Sequence, residues 1–154
     1  MLGLGSLTTR ALGPEDDGLM RAPLGVFGDA FDDVGTYCAA QPDTEYLRRL
    51  LASESFIALV ALDGNDVVGG IAAYELQKFE RQRSEIYIYD LAVAASHRRR
   101  GIATALVEVL RRTATQRGAY VIFVQADLGD DPAIDLYSKL GVREEVLHFD
   151  IPPA

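Results

Sequence analysis

Cysteine occurs once and histidine twice in these 154 residues, and no stretch stays apolar for the roughly 20 residues that a membrane helix requires. With Cys38 alone no internal disulfide can form, and a secreted chain of this size more often carries several. Cys38, His97 and His148 show no spaced ligand pair, so no metal site is expected. The opening MLGLGSLTTRALG lacks a basic segment leading into a long apolar one, and the expectation is a soluble, cytoplasmic protein. Basic residues are in deficit too: 15 Lys and Arg stand against 23 Asp and Glu, a net charge of −8. That excess of acid argues against a general nucleic-acid surface and for cationic partners. Among the acids, Asp29, Asp32, Asp33, Asp43 and Glu45, and again Asp127, Asp130, Asp131 and Asp135, run without an intervening Lys or Arg. Such runs serve either as solvated caps or as a cation-collecting surface.

What is present suffices for one domain, residues 1–154, with a core of its own, since 49% of the chain is hydrophobic. Turn signals and periodicity predict a strand over Leu7–Leu12 and a helical region from Pro14 to Phe31, which Pro23 and three glycines should kink or split into two short helices. A helix capped at Asp43 or Thr44 should run to Ala52. Strands follow over Phe56–Leu62 and Val67–Leu76, joined by the hairpin signal Asp63-Gly64-Asn65-Asp66, and then over Ser84–Ala94. Ile102, Leu106, Val109 and Leu110 mark one side of a helix that Gly118 ends. Ala119–Ala126 is apolar throughout, as in a strand buried on both faces, while Pro132–Leu140 reads as a helix stopped by Gly141 and Val142–Ile151 as a closing strand. The hairpin demands antiparallel neighbours and the later strand-helix-strand unit parallel ones, so the expectation is an α/β fold with a mixed sheet and helices on both sides.

Between the Ser84 strand and its following helix stands His97-Arg98-Arg99-Arg100-Gly101-Ile102-Ala103-Thr104. A basic, glycine-containing turn opening a helix presents free N–H groups where the helix dipole also favours anions, which suits a pyrophosphate; a solvated turn that merely caps the helix is the alternative. No Gly-Lys-Ser/Thr follows, so this is not a Walker loop. Arg98-x-x-Gly101-x-Ala103 resembles the coenzyme A loop of the GCN5-related N-acetyltransferases (GNAT), and Ala133-x-x-Leu136-Tyr137-x-x-x-Gly141-Val142 resembles a second signature of that superfamily. The resemblance implies a largely antiparallel sheet with one splayed parallel pair and acetyl-CoA as cosubstrate. It also implies that Arg98 to Thr104 hold the cofactor together with Leu91, Ala92, Val93 and Tyr137. Val142 stands where a Phe is usual, and Asp130 where many members have Asn. More closely, Lys78–Glu80, Ser84–Val93, His97–Leu106, Gly118–Asp127, Gly129–Ala133 and Glu144–Ile151 together resemble type I aminoglycoside 3-N-acetyltransferases, over nearly the whole chain from Leu12.

The resemblance assigns Tyr137 the donation of a proton to the departing thiolate; Tyr137 also shares an apolar helix side with Ala133, Leu136 and Leu140 and fits a core aromatic. Asp90 is the carboxylate singled out by position. Simple alternation sets it among Ile86, Ile88 and Ala92, where an unpartnered charge is too costly, so it needs a cation or a hydrogen bond, from substrate or from within the fold. Asp90 is the first candidate for the base that takes the amine proton, Glu85 the reserve, and Asp127, Glu85 and Asp150 are the further acids expected at the substrate. A main-chain N–H near Leu91–Val93 is expected to hold the developing oxyanion. Cys38 has no role in direct transfer. Another amine acceptor (polyamine, peptide N-terminus or lysine) and a non-catalytic acyl-CoA-binding module remain open readings, and a homodimer is compatible with the chain.

Overall fold

The computed structural model describes residues 6–154, so the first five residues of the opening segment lie outside it. The chain runs β1 (Leu7–Ala11), a 3-10 turn (Pro14–Asp16), α1 (Asp17–Ala30), α2 (Val34–Cys38), α3 (Thr44–Ala52), β2 (Phe56–Asp63), β3 (Asp66–Gln77) and β4 (Ser84–Val93). A second 3-10 turn (Ala95–His97), α4 (Ile102–Arg117), β5 (Ala119–Val124) and α5 (Asp131–Leu140) complete it. The five strands form one sheet in chain order, antiparallel from β1 to β4 and parallel between β4 and β5. The parallel pair is the one joined through a helix, as a crossover requires.

Two apolar layers flank the sheet. On one face Ile102, Leu106, Val107, Leu110 and Ala114 of α4 pack on Ile57, Leu59, Ala61, Ile71, Ala73, Ile86 and Ile88. The helix buries these positions because they recur at three- and four-residue spacing, and each fully buried Leu, Ile or Val contributes about 1.5–3 kcal/mol. On the other face Met20 and Phe27 of α1 and Leu47 and Leu51 of α3 cover Phe56, Ala58, Ala72 and Ala92. β2 is buried on both faces and reads accordingly as an unbroken apolar run.

Pro23 does not divide α1. The helix continues through it to Ala30, and Pro23 is buried against the sheet opposite Gly70, where a Cβ would stand 3.1 Å from the Leu59 carbonyl and 3.5 Å from Pro23 Cβ. Close packing on a strand that lacks a side chain holds together a helix that propensity alone would break. The chain breaks instead after Ala30, with Asp32 at φ 52°, and α2, which the sequence reading had not placed, follows.

Two expectations at the other end fail. β5 stops at Val124, and none of its residues is buried. It is the last strand of the sheet, so it has a neighbour on one edge only. Val142–Ile151 forms no strand: it pairs with none of the five, and every residue there is exposed. α5 does end at Leu140 as expected, with the Gly141 N–H on the Tyr137 carbonyl.

Candidate active site

The parallel pair opens where β4 is still extended. Registered pairing runs from Ser84↔Ala119 to Ile88↔Val124 and ends, whereas β4 continues to Val93 with its other edge on β3. Residues 89–93 therefore have strand partners on one side only, and the chain beyond Val124 is irregular. The result is a slot between diverging strands in which Leu91, Ala92 and Val93 have no β5 partner, although the Val93 carbonyl accepts from Arg98 Nε at 3.4 Å.

At the head of α4, Gly101 adopts φ 75° as N-cap and offers no side-chain acceptor, which leaves the N–H groups of Ile102, Ala103 and Thr104 uncapped. Arg99 just before it is also left-handed, at φ 63°. Successive turns of this kind form a concave, anion-binding backbone. Arg98, Arg99 and Arg100 are exposed, and none is in an ion pair among the described residues. Glycine at position 101 is thus required by its backbone angle more than by crowding, since a Cβ there would meet nothing within 4 Å. The loop is tethered to the β2–β3 hairpin by His97 Nε2, 3.0 Å from Asp63 Oδ2, and Asp63 also accepts from Ser6 Oγ. These two hydrogen bonds, Ser6 first, hold the Asp63 carboxyl below the ordinary range.

Asp90 is not where alternation puts it. Ala72 pairs with Asp90 and Ala73 with Ile88, so Tyr89 is an extra residue that bulges out of β4. The bulge inverts the parity of the strand beyond it. Ile86 and Ile88 face α4, whereas Asp90, opposite Ala72 and in phase with Ala92, faces the α1 side. There Tyr37 of α2 donates its hydroxyl to Asp90 Oδ1 at 2.7 Å. Burial pushes the Asp90 carboxyl up, and the Tyr37 hydrogen bond opposes that rise. Burial and the neighbouring carboxylate push the Tyr37 phenol up, so it remains a donor. Sequence reasoning missed Tyr37. The available signal was Asp33, whose side chain caps α2 by accepting from the Thr36 N–H at 3.1 Å.

Tyrosines surround this carboxylate. Tyr89 lies edge-on to Tyr74 at 6.1 Å and to Tyr87 at 5.6 Å, and Tyr87 stacks on Phe123 of β5 at 4.6 Å. Asp127 lies three residues past the end of β5, at the same opening of the parallel pair as Asp90, and is exposed. Glu85 lies at the opposite end of that pair. Tyr120 donates to it and Lys78 sits 3.2 Å away, and these partners hold its carboxyl low. Asp150 is exposed on the C-terminal segment and touches only His148, at 2.9 Å. The structure therefore brings Asp90 and Asp127 toward one opening and places Glu85 at the other end of the parallel pair. Asp33, Asp43 and Asp130 act as helix caps, which accounts for part of both acid runs.

Tyr137 stands one turn before Leu140, which packs with Ile122 and Val124 against the α4-side core. Burial, aided by the nearby Asp130, pushes its phenol up to about 12.

A mixed sheet split at its parallel pair, with an uncapped helix start beside the split, has room for an extended ligand that carries an anionic group. Residues 26–142 match the model of the acetyltransferase (GNAT) family. The chain belongs to that family, and its fold is the GNAT fold. The aminoglycoside acetyltransferase HMB0005 from an uncultured soil metagenomic sample is 62% identical over 97% of this chain and 99% of its own, with a TM-score of 0.95. Another aminoglycoside acetyltransferase from such a sample, meta-AAC0020, solved with sisomicin, is 31% identical over 97% and 98%, with a TM-score of 0.90. The N-acetyltransferase 8F1 of Rattus norvegicus is 28% identical over 73% of the chain, and the chain spans 56% of that protein's length. The residues at the slot and loop fit acetyl-CoA, the cosubstrate of the family: uncapped N–H donors at Ile102–Thr104 suit phosphates, and the edge of β4 beyond Ile88, without a β5 partner, suits an extended arm.

Proposed function

We propose that the protein acetylates the 3-amino group of aminoglycoside antibiotics, a reaction that would make a cytoplasmic copy a resistance determinant. The observation that carries this reading is Asp90, a half-buried carboxylate at the mouth of the slot with one oxygen bound by Tyr37 and no ion pair among the described residues. A buried acid without a cationic partner is a seat for a substrate ammonium. The surrounding tyrosine faces add attraction for cations, and Asp127 and the chain's net negative charge steer a polycation inward. The resemblance to type I enzymes and the 62% identity to an aminoglycoside acetyltransferase support the substrate class, and the resemblance alone supports the 3-position.

Acetyl-CoA supplies the acetyl group in activated, thioester form. Arg98–Arg100 and the N–H groups of Ile102–Thr104 hold its phosphates, and residues 91–93 align its arm. Asp90 orients the amine and takes the proton it loses, a role favoured by a carboxyl raised toward the working pH. Main-chain N–H groups in the unpaired stretch of β4 hold the carbonyl oxygen as charge develops. Tyr137, neutral throughout the working range, donates a hydrogen bond to the departing sulfur.

Thiol release from acetyl-CoA with gentamicin, sisomicin, spermidine and a basic peptide as acceptors tests the substrate, and mass spectrometry with NMR of the product fixes the nitrogen. Turnover of gentamicin and sisomicin at N3 is expected. Turnover of the peptide or spermidine with none of the antibiotics overturns the reading, and modification of another nitrogen overturns the 3-position.

A further inference from the structure

An aromatic row crosses the sheet. Phe56 of β2 stands opposite Tyr74 of β3, Tyr74 opposite Tyr87 of β4, and Tyr87 opposite Phe123 of β5. Residues opposite one another share a face, and Tyr74 lies two residues from Ala72, the partner of Asp90, so the row and that carboxylate are on the same side of the sheet. Phe56 and Tyr74 have ring centres 5.3 Å apart, and the bulged Tyr89 bridges the middle of the row by lying edge-on to both Tyr74 and Tyr87. In a regular strand consecutive residues face opposite ways; the bulge sets Tyr89 and Asp90 on one side. α1 and α3 cover the row only at its Phe56–Tyr74 end, and Tyr87, Tyr89 and Phe123 belong to neither apolar layer. Tyr89 is held between two rings and is still 63% exposed. The open part of the row begins at Asp90 and ends at Glu85, two residues before Tyr87 on the same face and matched by Lys78. Those five residues of strand span about 16 Å.

We propose that Tyr89, steadied by Tyr74 and Tyr87, stacks on the sugar ring next to the one whose amine Asp90 holds. The proposal rests on the aminoglycoside reading and adds to it a contact that selects acceptors of more than one ring. The chemistry of the row points to such an occupant. A carboxylate without an ion pair calls for a cation, and open aromatic surface beside it calls for an apolar face on the same molecule. A linear polyamine carries the charge without a ring, and an anionic ligand is repelled by Asp90. An amino sugar carries both: its hydroxyl and ammonium groups lie around the rim, and its two faces present C–H groups whose partial positive charge is drawn to an aromatic ring. Because Tyr89 and Asp90 are consecutive, the stacking contact and the ammonium contact fall on neighbouring parts of one ligand.

Steady-state kinetics with gentamicin, sisomicin and the single-ring aminocyclitol 2-deoxystreptamine test the contact. Tyr89→Ala should raise KM for the two antibiotics about tenfold with kcat largely kept, and raise it much less for 2-deoxystreptamine. Tyr89→Phe, which keeps the ring and loses the hydroxyl, should restore the wild-type KM. A second measurement does not depend on how the alanine variant folds. In the wild-type chain with isotope-labelled tyrosine rings and with coenzyme A and sisomicin bound, NMR should show contacts between one tyrosine ring and sugar C–H protons that vanish in Tyr89→Phe. A wild-type chain that binds neither antibiotic overturns the acceptor reading and the stacking contact together. If the wild type binds them, the stacking contact alone is overturned by a KM that Tyr89→Ala leaves in place, by an equal rise for 2-deoxystreptamine, by a loss that Tyr89→Phe shares, or by the absence of that ring-to-sugar contact.

Discussion

Tyr37 and Asp90 stand 53 residues apart in the chain and share a 2.7 Å hydrogen bond across the opening of the sheet. The bond has a direction of effect. A phenol donating to a carboxylate stabilises the ionised form, so it works against the burial that raises the Asp90 pKa. Tyr37→Phe removes that support and raises the pKa further. If Asp90 is the base, the acid limb of kcat/KM should move to higher pH in Tyr37→Phe while the plateau is largely kept. A limb that stays in place or moves to lower pH would separate Tyr37 from the base.

Asp90→Asn should lower kcat about 10²- to 10⁴-fold, the usual range for loss of a general base. Stability should move the other way. An acid whose folded pKa is raised destabilises the fold when ionised, a cost absent below the ordinary carboxylate range and present above the raised value. Thermal melts of Asp90→Asn should therefore match or exceed wild type at neutral pH, and the difference should vanish as the pH falls below about 3.8. A large loss of stability at pH 7 would mark Asp90 as a structural residue.

How Asp90 comes to face Tyr37 also shows where the sequence stops being informative. Alternation along Ser84–Ala94 identifies a strand, and the strand is there. It gives the wrong face for Asp90 because a single extra residue, Tyr89, is absorbed by a bulge against Ala72 and Ala73, and nothing local marks that position. Pro23 misleads in the opposite sense: its intrinsic cost is overridden by packing at Gly70, a residue 47 positions away. The apolar run of β5 is read correctly as a strand and wrongly as an interior one, because apolar content does not state how many strands lie alongside. The turn into α4 is more legible as a turn, since its conformation rests on Gly101 and the helix that follows.

That local dependence makes Gly101→Val a clean probe. A β-branched residue at φ 75° costs about 1–2 kcal/mol in backbone strain and pulls the first turn of α4 away from its anion-binding geometry. Acetyl-CoA affinity measured by calorimetry should fall at least about tenfold. The core of α4, anchored by Leu106 and Leu110, should remain folded. Unchanged affinity would remove the loop from the cofactor site.

The His97–Asp63 contact couples that loop to the β2–β3 hairpin and predicts a binding effect without a catalytic one. Asp63 is ionised at working pH, and the hydrogen bonds that lower its pKa lose their support only as the pH falls through that lowered value. Asp63→Asn weakens the tether at every pH above it. The expected result is a few-fold rise in KM for acetyl-CoA with kcat and the KM for the amine unchanged. A change confined to kcat would contradict a role in holding the loop.

Tyr137 supplies the sharpest division between chemistry and architecture. With its pKa pushed up to about 12 the phenol is protonated across any practical assay range, so it can donate to sulfur but cannot serve as a base, and the basic limb of a pH profile should not arise from it. Tyr137→Phe keeps the half-buried ring and removes only the hydroxyl. It should lower kcat by about 10²-fold with the acetyl-CoA dissociation constant and thermal stability close to wild type. An acetyl donor whose leaving group is a weaker base than coenzyme A needs less help from a donor at sulfur, and with such a donor the gap between Tyr137→Phe and wild type should narrow. If the loss is the same for both donors, the hydroxyl acts through the position of α5 rather than through the bond that breaks.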